Sequence, residues 1–317
     1  MLAMIGMPRS GTTWVAKAID SHPDTYYLHE PDSVKRMNIP QIISAEQVDE
    51  YLPYVNDYLK QIETVDSLKV VGRLPYYPKR YLNNLQLNFN RLSALTYKSL
   101  SQFFNSLAKS SPILIKPKKH HVTFWKSIES MGRVSVLSRA NPSMKMLLLV
   151  RHPCAVINSE LRGEAQNKFA SKTPVYENWG LFENLLASDT AKQQQLTLEA
   201  IKQMRPAQRL AWKWRIFYEQ LLTQAEQDNC ILMQYEYLCV KPMQGFEELL
   251  QFFGLSFDQQ VKDYLIASTS SHSDSYYSTS KDPLKAMQGW KSKLPEQDIA
   301  DISEICQQHL NNEYWQS

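Results

Sequence analysis

Cysteine is scarce. Cys154, Cys230, Cys239 and Cys306 are the only four in 317 residues, far apart and without a CxxC pair. That excludes a disulfide scaffold and a zinc ribbon. Long apolar runs are absent too; none approaches the ~20 residues that span a bilayer. The apolar start, Leu2 to Ile5, runs straight into Pro8-Arg9-Ser10-Gly11 and is not read as a signal peptide. No Asn-x-Ser/Thr acceptor occurs, because Asn141-Pro142-Ser143 is disqualified by its proline. Together these absences predict a cytoplasmic protein. An excess of one charge is also missing: 35 basic against 32 acidic residues leaves +3. Wholesale nucleic-acid binding is thereby disfavoured, and any basic patch is local. There is no GxSxG elbow, no HExxH and no internal repeat. What remains is an ordinary globular composition, 43% hydrophobic and 21% charged. The length allows one large α/β domain or two small ones.

Short apolar runs alternate with helical patterns. Strands are expected at Leu2–Gly6, Tyr26–Leu28, Ile113–Ile115, Met146–Val150 and Ile231–Met233. Helices are expected from Thr12 to about Ser21, over 44–64, over 153–162, along Leu210 to Leu222, and over about 242–253 with a stop at Gly254. In the 44–64 helix Val48, Tyr51, Leu52, Val55 and Leu59 share one face. The alternation predicts an α/β fold: three layers around a central parallel sheet. Residues 268–283, rich in Ser and Tyr, read as a long mobile loop. Residues 72–92 combine Tyr76, Tyr77, Tyr81 and Phe89 with Arg73, Lys79, Arg80 and Arg91. They read either as the wall of an acceptor site or as an irregular surface excursion.

Gly6-Met7-Pro8-Arg9-Ser10-Gly11-Thr12-Thr13 follows a strand and opens a helix. In that context backbone N–H groups and the helix N-terminus form an anion cradle. Gly11 supplies the backbone freedom, and Thr12 and Thr13 supply hydroxyls. The spacing is that of the nucleoside-triphosphate loop GxxxxGK[ST], but Thr12 stands in place of the lysine. An ordinary kinase or ATPase thereby loses its central charge. The strand ending at Val150 is followed by Arg151, not by an Asp suited to magnesium, and Ser159 comes eight residues later. Arg is suited to bidentate phosphate contact, and strand ends line the crevice where open α/β sheets bind ligands. Two anion sites suit a nucleotide with phosphates at both ends of its ribose. Arg151 also has a simpler reading as a salt-bridge partner.

These residues carry a resemblance. Pro8-Arg9-Ser10-Gly11-Thr12-Thr13-Trp14 resembles the 5′-phosphosulfate loop of sulfotransferases that use 3′-phosphoadenosine 5′-phosphosulfate (PAPS). Leu149-Val150-Arg151-His152-Pro153 through Ser159 resembles their 3′-phosphate motif. The stretch through His22-Pro23-Asp24 to His29-Glu30-Pro31 looks most like the carbohydrate-type branch. So does the run from Lys281-Asp282-Pro283 to Gly289-Trp290-Lys291. Arg9 replaces a lysine of the cytosolic small-molecule members, and His152 replaces an Asp or Asn. The resemblance implies a single P-loop-like sulfotransferase domain over 1–317. The residues themselves suggest an acceptor-side insertion at about 72–110, which resembles no known segment, and a mobile loop at about 268–288.

It also implies roles. Arg9, Ser10, Gly11, Thr12 and Thr13 bind the phosphosulfate end, where Arg9, Thr12, Thr13 and the helix N-terminus act catalytically by stabilising charge on the leaving 5′-phosphate. Arg151 and Ser159 bind the 3′-phosphate. Trp14 offers an aromatic face near the adenine, or is a core residue of its helix. Lys281, Trp290 and Lys291 close over the nucleotide, or form a plain C-terminal tail. Glu30 is the first choice of base for the acceptor proton. His120, in Lys116-Pro117-Lys118-Lys119-His120, is the second, although its spacing is two residues too long for the small-molecule branch. Lys116 resembles a strand-end lysine able to touch the sulfuryl group. His29 is a third choice of base, expected to point away from Glu30 if the strand continues. No metal is required by this scheme. The acceptor offers a hydroxyl or an amine and is expected to be a glycan or small alcohol, and oligomeric state is not readable. Two rivals stand beside this reading: a P-loop kinase-like phosphotransferase without its lysine, and a non-enzymatic nucleotide- or glycan-binding module.

Overall fold

A computed structural model describes residues 1–104, 110–118, 121–168, 173–270, 283–311 and 313–315. Five parallel strands form one sheet: β1 (Leu2–Gly6), β2 (Thr25–His29), β3 (Val122–Ser127), β4 (Lys145–Val150) and β5 (Cys230–Gln234). Their order is β2-β3-β1-β4-β5, with β1 in the middle. Helices cover both faces, which is why the strands read as continuous apolar runs. Ala3, Ile5, Leu28, Trp125 and Leu148 alternate onto one face, against the helices Val48–Gln61, Val134–Ala140 and Pro206–Gln224. Leu2, Met4, Tyr27, Phe124 and Leu149 turn to the other face. There they meet the helix Thr12–Ser21 (α1) and the helices Pro242–Phe253 and Gln259–Ser270.

The register places the carboxyl ends of the strands side by side. Gly6 pairs with Leu149 across β1 and β4, and His29 with Lys126 across β2 and β3. The chain leaves β1 toward β2 on one side and reaches β4 on the other. A crevice therefore opens outside the end of β1, at the point where the strand order reverses.

Four of the five expected strands lie where the sequence puts them, and the helix before Gly254 stops there in a left-handed cap. The strand expected at Ile113–Ile115 is not one. Residues 111–118 run without regular structure, Ile113 is 66% exposed, and the sheet takes Val122–Ser127 instead. An exposed isoleucine cannot sit in a strand covered on both faces. The flanks of the expected loop at 268–288 are helical, Gln259–Ser270 and Pro283–Gln288, while 271–282 lie outside the described residues.

Candidate active site

The turn after β1 is held in an unusual conformation. Arg9 and Gly11 both have positive φ, 70° and 80°. A Cβ on Gly11 would lie 2.2 Å from the Tyr235 ring, so the position needs glycine for space as well as conformation. The turn brings Ser10 inside, fully buried, with its hydroxyl lacking a hydrogen-bond partner among the described residues. Thr12 is buried and Thr13 exposed at the start of α1.

The left-handed turn at Arg9 carries its guanidinium to the second motif. Arg9 Nε donates to Ser159 Oγ at 2.9 Å, bridging 150 positions of sequence. Arg151 Nη1 donates to the Arg9 carbonyl at 2.8 Å and Nη2 to the Ala286 carbonyl. Its guanidinium lies 4.6 Å from the centre of the Tyr235 ring, while Nε is buried and unpartnered. Arg9, Arg151 and Ser159 thus form one cationic pocket rather than two separate charges. Buried donors left unpaired this way point to an acceptor-rich ligand. Ser10 and Arg151 Nε therefore fit the anionic ends of a bisphosphorylated nucleotide.

The base of that pocket is fixed from behind. Glu236 accepts from the His152 N–H at 3.0 Å and from Trp315 Nε1 at 2.9 Å, and Trp214 Nε1 donates to the Arg151 carbonyl at 3.0 Å. The His152 ring stacks on Trp290 at 4.6 Å and 15° and accepts from the Cys154 N–H. Burial, helped by Arg151 and Lys291, lowers the His152 pKa to about 3, so the ring is neutral.

Trp14 is not an open aromatic face. It is 7% exposed, meets Tyr235 and Phe246 edge-on, and donates from Nε1 to Ser268 Oγ at 3.0 Å. It is a core residue of α1, the alternative that its helical position allowed.

Glu30 directly follows β2 and is 8% exposed. Its φ of 51° breaks the alternation that would turn it away from His29. The expected opposition is therefore absent: His29 Nε2 lies 3.5 Å from Glu30 Oε1. His29 Nδ1 is bonded to the Tyr27 hydroxyl at 2.7 Å, and burial, with Lys126 beside it, pushes the imidazole pKa far down. The dominant partner of Glu30 is Lys126, whose Nζ donates to Oε1 at 2.7 Å and lies 3.5 Å from Thr13 Oγ1. Lys69 adds a second cation at 3.7 Å. Burial alone would push the Glu30 carboxyl up, but Lys126 and Lys69 hold it below its usual value, ionised. Burial lowers Lys126 from the ordinary lysine value despite its carboxylate neighbour.

Sequence reasoning missed Lys126. The signal was Phe124-Trp125-Lys126, an apolar pair closed by a lysine just before a turn; with 113–115 read as the strand, the strand-end lysine became Lys116. Lys116 pairs instead with Asp66 and lines a cavity on the β2 side. Tyr235 was missed as well, since nothing local marks a tyrosine that packs on a turn more than 200 residues away. His120 and Lys281 lie outside the described residues.

That cavity, of about 60 Å³, is walled by Tyr26, Tyr27, Arg73, Tyr76, Tyr77 and Tyr81, among others. The Tyr26 and Tyr77 hydroxyls are buried without a hydrogen-bond partner. The wall from 73 to 81 is pinned to α1 by two buried lysines. Lys17 Nζ donates to Asp20 at 2.8 Å and to the Arg73 and Pro75 carbonyls. Lys79 Nζ bonds the Asp20 and His22 carbonyls and Thr25 Oγ1.

A family model described as "Sulfotransferase family" matches residues 2–259. Carbohydrate sulfotransferase 5 of Mus musculus is 23% identical over 94% of this chain and 76% of its own length. Carbohydrate sulfotransferase 1 of Danio rerio is 31% identical over 26% of this chain and 20% of its own. Among solved structures, the sulfotransferase domain from the curacin biosynthetic pathway covers 97% of this chain and 96% of its own at 17% identity, with a TM-score of 0.46. With the family match over most of its length, the chain belongs to the sulfotransferase family and is a PAPS-dependent sulfotransferase rather than a kinase-like phosphotransferase.

Proposed function

We propose that the chain transfers the sulfuryl group of PAPS to a hydroxyl of a glycan or small alcohol, with Glu30 as the base. The single observation that carries this is the Glu30–Lys126–Thr13 cluster at the carboxyl ends of β2 and β3, beside the start of α1. The donor supplies a sulfur already activated by a phosphate leaving group. Ser10, Thr12, Thr13 and the N-terminus of α1 take its 5′ end, and Arg9, Arg151 and Ser159 its 3′-phosphate. As the acceptor O–S bond forms and the S–O bond to the 5′-phosphate breaks, the acceptor proton passes to Glu30. Lys126, beside Thr13, offsets the negative charge that builds there. Arg9, bonded to Ser159, serves the 3′ end of the nucleotide instead of the leaving group. Trp290, stacked on His152 above that pocket, covers the nucleotide.

The tyrosine-walled cavity is the acceptor side. Two orphaned phenol hydroxyls support a hydroxylated ligand, and Tyr27 connects the cavity to Glu30 through His29. Residues 72–110 are the insertion that builds this wall within one domain. The four cysteines are buried thiols outside any disulfide, which supports a reducing, cytoplasmic setting.

The test is Glu30→Gln. It keeps adenosine 3′,5′-bisphosphate binding and loses on the order of 10²–10⁴ of turnover, the usual contribution of a positioned base. Retained turnover in Glu30→Gln together with loss in His120→Ala would move the base to His120.

A further inference from the structure

One surface is out of keeping with the rest of the molecule. Between Asp66 and Glu129 the chain carries eleven Lys and Arg and no Asp or Glu, against a net charge of only +3 for the whole. The side chains of Lys79 and Lys126 are buried, and Lys69, Arg80 and Lys116 meet carboxylates from outside the segment. Arg73, Arg91, Lys98 and Lys118 are in no ion pair among the described residues. This segment contains the helix Asn84–Ser101. Its inward face is Leu87, Asn90 and Ala94, all buried. The opposite face is apolar as well. Leu85 is 81% exposed, Phe89 46% and Leu92 66%, at positions i, i+4 and i+7, and Phe103, just past the helix end, is 80% exposed.

Surface helices normally turn polar side chains outward, so this face is inverted. The rotation is not free to change. Asn83 caps the helix through Gln86 N–H. The Asn90 amide bonds both N–H and C=O of Ile115, and Arg91 donates to the Tyr76 carbonyl. The polar Asn90 is locked inward, so Leu85, Phe89 and Leu92 are locked outward. Ile113 and Lys118, in the segment that Asn90 bonds, are exposed too. A contiguous exposed apolar ridge in a monomer marks a contact surface.

We propose that this face docks on an anionic lipid bilayer. Charge selects that occupant. Apolar side chains that enter the acyl boundary, on a helix that carries Arg91 and Lys98 and no carboxylate, are the composition of an interfacial helix. A second copy of the chain would bring one basic segment against another. No described helix is long and apolar enough to cross a membrane, so the contact lies on the surface. The proposal is independent of the donor site and of the base assignment.

The experiment is vesicle co-sedimentation of the full chain. Phosphatidylcholine vesicles are compared with vesicles that also contain phosphatidylglycerol, at low and high salt. The wild type is expected to bind the anionic vesicles at least about tenfold more tightly than the neutral ones, and to lose the difference at high salt. The double variant Leu92→Glu, Phe103→Glu is expected to lose about tenfold in vesicle binding while binding adenosine 3′,5′-bisphosphate as the wild type does. Absence of vesicle binding by chain that still binds the bisphosphate would overturn the proposal. So would a double variant that binds vesicles unchanged. A wild type that is dimeric and becomes monomeric in the double variant would assign the face to a second copy.

Discussion

The two halves of the crevice are built differently. On the proposed donor side each element of the cradle is a short contiguous motif: strand, turn and helix at Gly6–Thr13, and strand, turn and helix at Val150–Ser159. Long-range contacts then join two pieces that are already shaped, as Arg9 does with Ser159. On the acceptor side no piece is shaped alone. The wall from 73 to 81 has no regular structure and is held by Lys17 and Lys79 reaching from, or to, α1 and β2. The difference separates a chemistry common to a family from a specificity belonging to one chain. Transfer from a fixed donor needs fixed geometry, whereas an acceptor wall varies with loops.

Arg151→Ala should separate the halves most sharply. Loss of a buried guanidinium aimed at a phosphate is expected to weaken adenosine 3′,5′-bisphosphate on the order of 10²–10³-fold, and nucleotides without the 3′-phosphate far less. Titration calorimetry with both ligands reads this; equal losses would remove Arg151 from the 3′ site. Lys79→Met attacks the other half. It leaves the Asp20 carboxylate and two carbonyls with one donor fewer, at a stability cost of about 1–3 kcal/mol. Acceptor KM is expected to rise while bisphosphate affinity holds. An unchanged KM, with denaturant unfolding showing the stability loss, would show that the wall is not where the acceptor binds.

The smallest effect is one of pH. His152 ordinarily titrates at 6.5 but at about 3 in the folded chain. The unfolded chain takes up the proton first, so stability is full above pH 6.5 and falls as pH drops toward 3. Between pH 6.5 and 5 this histidine alone costs about 2 kcal/mol, and His29, also buried neutral, acts in the same direction. Denaturant midpoints across that range, compared between wild type and His152→Asn, measure the slope; equal slopes would contradict a buried neutral ring.

The same contrast explains what could be read from sequence. The places of Gly11, Thr12, Thr13 and Arg151 at strand ends were legible, because hydrophobic patterning gives the strands. Glu30 was legible as a strand-end carboxylate, but its left-handed backbone was not, so its approach to His29 came as a correction. Lys126 was hidden because Ile113-Leu114-Ile115 offers a better local strand pattern than Val122–Ser127. Burial between the helices on both faces decides that competition, and burial is not local. The Tyr235 contact with Gly11 and the pairing of Lys116 with Asp66 are products of the same tertiary choice.

The most direct test is calorimetric titration of the wild type with adenosine 3′,5′-bisphosphate and with ATP, each with and without magnesium. Micromolar or tighter binding of the bisphosphate, indifferent to magnesium and far above that of ATP, is the predicted result. Preference for magnesium–ATP would contradict the account, because a site organised by Arg9, Arg151 and Ser159 has no reason to favour a triphosphate.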